Sequence, residues 1–151
     1  MYLSDAQIKK TLLQGEEFIL IKKANLQLEE KQVAAKIRIP NSWNTGEVPV
    51  GLLIEAIGQA TELLIRHCYP IKGMLYLAQL KNVKIHSALI STEYFDDMSI
   101  QSEIVEKVQG NILSRGKMSI GEIYLYELTM NHYMVEEDKN GADARNDFEK
   151  M

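Results

Sequence analysis

The stretch Val48-Pro49-Val50-Gly51-Leu52-Leu53-Ile54-Glu55-Ala56-Ile57-Gly58-Gln59-Ala60-Thr61-Glu62-Leu63-Leu64-Ile65-Arg66 decides how this chain folds. Pro49 stands where the first turn of a helix tolerates a missing N–H, and no further proline follows until Pro70. The spacing predicts a helix from Gly51 to Arg66, with apolar residues over most of its surface. A helix that is apolar nearly all round is a buried helix. Its polar residues fall on one line: Glu55, Gln59, Glu62 and Arg66 step by four, three and four positions and so share a face. That line admits two readings. It is a solvated face on which Glu62 and Arg66 pair, or it holds one carboxylate, Glu55, as a site residue near the start of a buried helix. Gly51 and Gly58 border the line, and other backbone or a ligand can approach closely where they lack side chains.

The bulk properties set limits around this helix. A chain of 151 residues, 46% hydrophobic and 25% charged, is expected to form one soluble globular domain with a real core. A net charge of −4 argues against a nucleic-acid partner or an anionic membrane surface. The single cysteine, Cys68, excludes an internal disulfide and a cysteine metal cluster, and reads as a small apolar filler near the helix end. Met1 to Asp5 lack a basic start and an apolar core of the kind a signal peptide needs, and no apolar run is long enough to span a bilayer. The expected location is cytoplasmic.

In chain order, Ser4-Asp5 caps a short helix from Ala6 to Gln14, which Gly15 ends. Phe18 to Ile21 reads as a strand. Asn25 to Ile39 reads as a second one, turned or bulged at Glu29-Glu30-Lys31 and stopped by Pro40. Residues Asn41 to Glu47 form a loop of turn formers, with Asn44-Thr45-Gly46 as its turn. After the central helix come strands at Met74 to Ile85, Met98 to Val108, Ile112 to Ile120 and Ile123 to Tyr133, with hairpin signals at Gly110-Asn111 and Gly121-Glu122. The predicted architecture is α+β: one long helix wrapped by one curved antiparallel sheet. Residues 1–135 form the domain, and the polar tail 136–151 is expected to be disordered. One sheet face is too little cover for so apolar a helix, so a dimer with two such helices side by side is expected.

The loop and helix resemble the hot-dog superfamily, and in it the FabZ-type 3-hydroxyacyl-acyl-carrier-protein dehydratases, whose motif is G-H-F-P-x-x-P-x-M-P-G-V-L-x-x-E-A-x-A-Q. Its second half stands here as Val48 to Ala60. Tyr76-Leu77-Ala78-Gln79-Leu80-Lys81-Asn82-Val83-Lys84-Ile85 is similar to the family's F-L-A-x-I-x-x-V-R-F strand, and Thr11 to Ile21 to its opening segment, without the histidine, arginine and prolines found there. The resemblance covers roughly residues 5 to 134. It implies a hot-dog fold, at least dimeric, with acyl-thioester sites at the dimer interface. The thioester is carried on acyl carrier protein or coenzyme A, and no metal or other cofactor is implied.

In that family a loop histidine and a helix glutamate do the chemistry. The glutamate maps onto Glu55 and the histidine onto Asn41. Val50, Gly51, Gln59 and Trp43 are the substrate-contact positions this mapping suggests, with Trp43 also read as packing the loop over the helix. Dehydration takes a proton from C2 of the acyl chain and hydroxide from C3. A carboxyl held protonated can supply the acid, but an asparagine amide cannot serve as the base. Thioester hydrolysis instead needs a carboxylate to activate water and donors for the oxyanion. Glu55, Asn41 and the Gly51 N–H suit those roles. A third reading is non-catalytic: a subunit that binds acyl thioester, or one that pairs with a second, histidine-bearing hot-dog chain. The chain's own histidines do not obviously replace the missing one. His67 lies roughly 18 Å along the helix from Glu55, and His86 and His132 fall in predicted strands.

Overall fold

The computed structural model of the protein describes residues 1–39, 47–86 and 89–135. Ser4 starts the first helix. Its hydroxyl accepts from Gln7 N–H at 3.2 Å while the Gln7 side chain accepts from Ser4 N–H at 2.8 Å, a reciprocal cap over α1 (Asp5–Thr11). A two-residue strand, β1 (Tyr2–Leu3), precedes it. α1 stops short of Gln14 because Leu12 already has extended backbone.

The strand expected at Phe18 to Ile21 is not one. Glu16–Phe18 form a 3-10 turn, and β2 (Ile21–Gln27) begins only at Ile21. The physical reason is that Leu20 N–H is taken by a side chain of the central helix, so a strand partner cannot use it. The expected long strand from Asn25 to Ile39 is a hairpin of β2 with β3 (Gln32–Ile37), and Lys31 in its turn has φ 54°. β4 (Glu47–Pro49) runs into α2 (Val50–Cys68), so Pro49 is the cap residue just outside the helix. β5 (Leu75–Ile85) follows, then β6 (Leu89–Ser91), which pairs with β4 in a separate ribbon. A 3-10 turn at Thr92–Asp97 leads to β7 (Met98–Val108), β8 (Asn111–Ile120) and β9 (Ile123–Met134).

Seven strands form one antiparallel sheet in the order β1-β2-β3-β7-β8-β9-β5. The β7–β8 turn sits one residue earlier than the sequence signal. Asn111 already pairs with Val108, and Gln109, at φ 55°, takes the left-handed conformation. The β8–β9 turn falls at Gly121, φ 57°, as its glycine predicts. The class is α+β, one long helix against a curved antiparallel sheet.

α2 buries Leu53, Ala56, Ile57, Ala60, Leu63, Leu64 and Ile65 in one core with Val33, Ala35, Ile37, Ile100, Met118, Leu128 and Met130 of the sheet. Gly116 lets the helix seat: a Cβ there would collide with Ile57 Cγ2 and lie 2.9 Å from Met130 Cε. The reason given for a dimer needs correction. α2 is covered within one chain, because residues 12–20 close over the side that the sheet leaves open, burying Leu12, Ile19 and Leu20. The apolar surface left over lies elsewhere. β5 is a sheet edge, and Tyr76, Leu77, Leu80, Val83 and Ile85 on it are all exposed. Among the described residues no helix is long and apolar enough to cross a membrane.

Candidate functional site

The polar line of α2 is a seam, and only its first member is open. Gln59, buried to 1% exposure, accepts from Leu20 N–H at 2.8 Å and donates to Phe18 C=O at 2.8 Å. These two bonds fix which end of the amide is which, because only the oxygen can take the Leu20 proton. The NH₂ is thereby aimed at Glu55, whose Oε1 accepts from it at 3.4 Å. One turn on, Glu62 accepts from Gln14 at 3.3 Å and from Arg66 Nε at 3.0 Å, and Arg66 Nη1 donates to Gly73 C=O at 3.1 Å. The Glu62–Arg66 pair expected at i,i+4 thus exists, but it is buried under residues 14–20, its side chains only 11% and 7% exposed. The solvated-face reading fails for these residues.

Glu55 is exposed in the single chain. Its carboxyl is nevertheless held above its ordinary pKa, chiefly by desolvation against the helix and its neighbours. The Gln59 hydrogen bond opposes this and the Glu62 charge adds to it. Gly51 is exposed, and a Cβ there would meet nothing within 4 Å. At buried Gly58 a Cβ would meet only Leu77 Cδ2, at 4.0 Å. Nothing among the described residues requires glycine at either place, although each costs the helix about 1 kcal/mol relative to alanine. Pro49 makes no side-chain cap, so the N-cap residue itself satisfies none of the first-turn N–H groups, Gly51 among them. Val50 is half-buried at the rim of the core. The structure therefore brings Glu55, Gln59, Val50 and Gly51 to the first three turns of α2. Asn41, Trp43, the Asn44-Thr45-Gly46 turn and the tail 136–151 lie outside the described residues.

The histidines are accounted for separately. His67 Nδ1 lies 2.7 Å from Leu63 C=O one turn back on the helix, a structural contact. His86 is exposed just past β5. His132 is buried on β9, in register with Ile112 and Leu77. Its Nδ1 has no partner among the described residues, and burial lowers its pKa to about 4. Ser114 Oγ, diagonal to it on β8, is likewise buried without a partner. No sequence signal marks either residue, because both sit among apolar neighbours in alternating strands. Among the described residues no three His, Cys, Asp or Glu gather where they could hold a metal ion. A polar groove of about 620 Å³ crosses the sheet, lined by Asn25, Gln101, Arg115, Lys117 and Glu127 among others, and Glu55 is not part of it.

No protein-family profile matches the sequence, and no curated protein does. Solved structures do match in fold. A chain of the dehydratase heterocomplex ApeI:P from Xenorhabdus doucetiae superposes with a TM-score of 0.72 at 13% identity, over 86% of this chain and 91% of that one. A phenylacetic acid degradation-related protein from Ralstonia eutropha JMP134 superposes with a TM-score of 0.56 at 14% identity, over 77% and 83%. A hypothetical thioesterase from Streptococcus pneumoniae TIGR4, solved with coenzyme A, gives 0.52 at 14%, over 71% and 80%. The fold is the hot-dog fold.

Proposed function

We propose that the protein is a FabZ-like hot-dog subunit that holds an acyl thioester beside Glu55 and supplies the acid of a 3-hydroxyacyl-thioester dehydration. One observation carries this reading. Glu55 is a carboxyl with a pKa raised by desolvation, hydrogen-bonded by Gln59, on the first turns of α2, where Gly51 and Gly58 leave room that little among the described residues fills. In the forward reaction the protonated carboxyl gives its proton to the leaving C3 hydroxyl, which departs as water. A base takes the C2 proton, and the electron pair of that bond becomes the double bond. The first-turn N–H groups, at the positive end of the α2 dipole, suit the thioester oxygen as charge builds on it.

The base is the missing part, since the residue at the family's histidine position is Asn41. A two-subunit site, in which the partner brings the base, answers both this lack and the open side of Glu55. The heterocomplex among the fold neighbours favours this form of the reading. The thioesterase alternative would use Glu55 as the carboxylate that activates water, with Asn41 and the Gly51 N–H as donors to the oxyanion.

The test is hydration of a short enoyl thioester by the wild type, Asn41→His and Asn41→His/Glu55→Gln. The expected result is a nearly inert wild type, a gain of about two powers of ten or more in Asn41→His, and loss of that gain in the double variant. Thioester hydrolysis by the wild type that disappears in both Glu55→Gln and Asn41→Ala would replace the dehydratase reading with the thioesterase one.

A further inference from the structure

Two polar side chains are buried on the helix-facing side of the sheet with nothing to bond. His132 is 3% exposed and Ser114 0%, and neither His132 Nδ1 nor Ser114 Oγ has a hydrogen-bond partner among the described residues. His132 stands opposite Ile112 on β8 and Leu77 on β5, and Ser114 stands opposite Ile104 on β7 and Met130 on β9. All four neighbours are apolar, so their side chains offer neither atom a bond. Buried polar groups are ordinarily paired. Thir nearest polar counterparts, Thr61 of α2 and Ser102 of β7, follow that rule. Their hydroxyls lie 2.7 Å apart, with the carbonyls of Ile57 and Arg115 at 2.8 and 3.2 Å. His132 and Ser114 are the exception, and they are diagonal neighbours on adjacent strands, roughly 7–8 Å apart at Cα. One oxygen atom between them can bond both. The buried Tyr126 hydroxyl, also unpartnered, is six residues along β9, roughly 20 Å away, and does not belong to the pair.

A line of contacts joins this pair to the candidate site. Glu55 and Gly58 are three positions apart on α2 and so share a face. A Cβ on Gly58 would meet only Leu77 Cδ2, at 4.0 Å, and Leu77 is the residue paired with His132. From the Glu55 turn to the imidazole the line is roughly 10–15 Å long. An extended hydrocarbon of about eight to twelve carbons covers that length.

We propose that His132 and Ser114 form the far end of the acyl site and select thioesters whose chain carries a hydroxyl roughly eight to twelve carbons from the carbonyl. This rests on the Glu55 reading and names its substrate class. The hydroxyl accepts from Ser114 Oγ and donates to Nδ1 of the neutral imidazole. An unsubstituted chain end leaves both atoms unmet, and a site built to bond an oxygen discriminates against the analogue that lacks it. A carboxylate end is disfavoured, since the apolar neighbours hold the imidazole neutral and supply no other charge.

The test uses saturated acyl-pantetheine analogues with an amide in place of the thioester, so that neither hydration nor hydrolysis intervenes. Two series of eight, ten and twelve carbons are compared by isothermal titration calorimetry, one ending in a methyl and one in a hydroxyl. Wild type is expected to bind one hydroxylated length about tenfold tighter than its methyl counterpart. His132→Leu/Ser114→Ala is expected to prefer the methyl series, and His132→Gln, which keeps a donor and an acceptor, to retain part of the hydroxyl preference. Should the double variant fail to fold, Ser114→Ala alone is expected to reduce the preference severalfold. Tighter binding of the methyl series by wild type at every length overturns the proposal and leaves the Glu55 reading intact. A hydroxyl preference that survives unchanged in the variants overturns it too. No binding by either series overturns the acyl-thioester reading, and this proposal with it.

Discussion

Replacing Gln59 by leucine removes the clamp that joins α2 to residues 14–20 and aims at Glu55. Two 2.8 Å bonds to backbone are lost, one to Leu20 N–H and one to Phe18 C=O. Each is worth about 1 kcal/mol net. The Leu20 N–H sits in a residue only 2% exposed, so water cannot replace its partner, and stranding a buried donor adds roughly 1–3 kcal/mol. The expected loss is about 3–5 kcal/mol. For a chain of this length that lowers Tm by about 6–20 °C. Urea unfolding and a thermal melt followed by circular dichroism measure it. Removing the amide also takes away the hydrogen bond that favours the ionised Glu55, so its pKa should rise further. A loss under about 0.5 kcal/mol would refute the reasoning, because residues 14–20 would then not depend on the helix side chain that the seam assigns to them.

Two other substitutions test different parts of the packing. Gly116→Ala forces a methyl into Ile57 Cγ2 and Met130 Cε and should cost about 1–3 kcal/mol by chemical denaturation. Ile57→Ala in the same chain should recover part of that, and fully additive losses would contradict the close approach. His132 makes the fold sensitive to acid. Its folded pKa is about 4 against 6.5 when free, so below pH 6.5 the unfolded chain takes up a proton that the folded chain refuses. Stability should fall as pH drops from 6.5 towards 4, by about 3 kcal/mol at most. Glu55, with its raised pKa, acts in the opposite sense over its own range. Urea midpoints between pH 7 and 4 should show a flatter acid limb for His132→Leu than for the wild type, and equal slopes would sink this assignment.

Much of the protein was legible in local pattern. The apolar run from Leu52 to Ile65 announced a buried helix, Pro49 its start, and alternation the strands from Met98 onwards. Those signals lie within a few residues of one another, as 3.6-residue and two-residue periods do. Glu55 was singled out by its isolation on that helix and by the motif around it. The same periodicity misjudged Phe18 to Ile21, because the bond that keeps Leu20 out of a strand comes from Gln59, 39 positions away. It also misjudged what covers α2. Composition showed that the helix needed cover but could not show that residues 12–20 supply it.

The sequence by itself determined the central helix and the strands from Met98 onwards, because those choices rest on near neighbours and on the sign of each side chain's transfer free energy. It also determined that the edge strand carries lysines and no carboxylates. Only the tertiary structure decided that Gln59 holds the backbone of Phe18 and Leu20, that Glu62 and Arg66 are buried while Glu55 stays open, and that β5 carries apolar surface left exposed among the described residues. Each of these depends on contacts between residues far apart in the chain, and such contacts exist only once the sheet has closed around its helix.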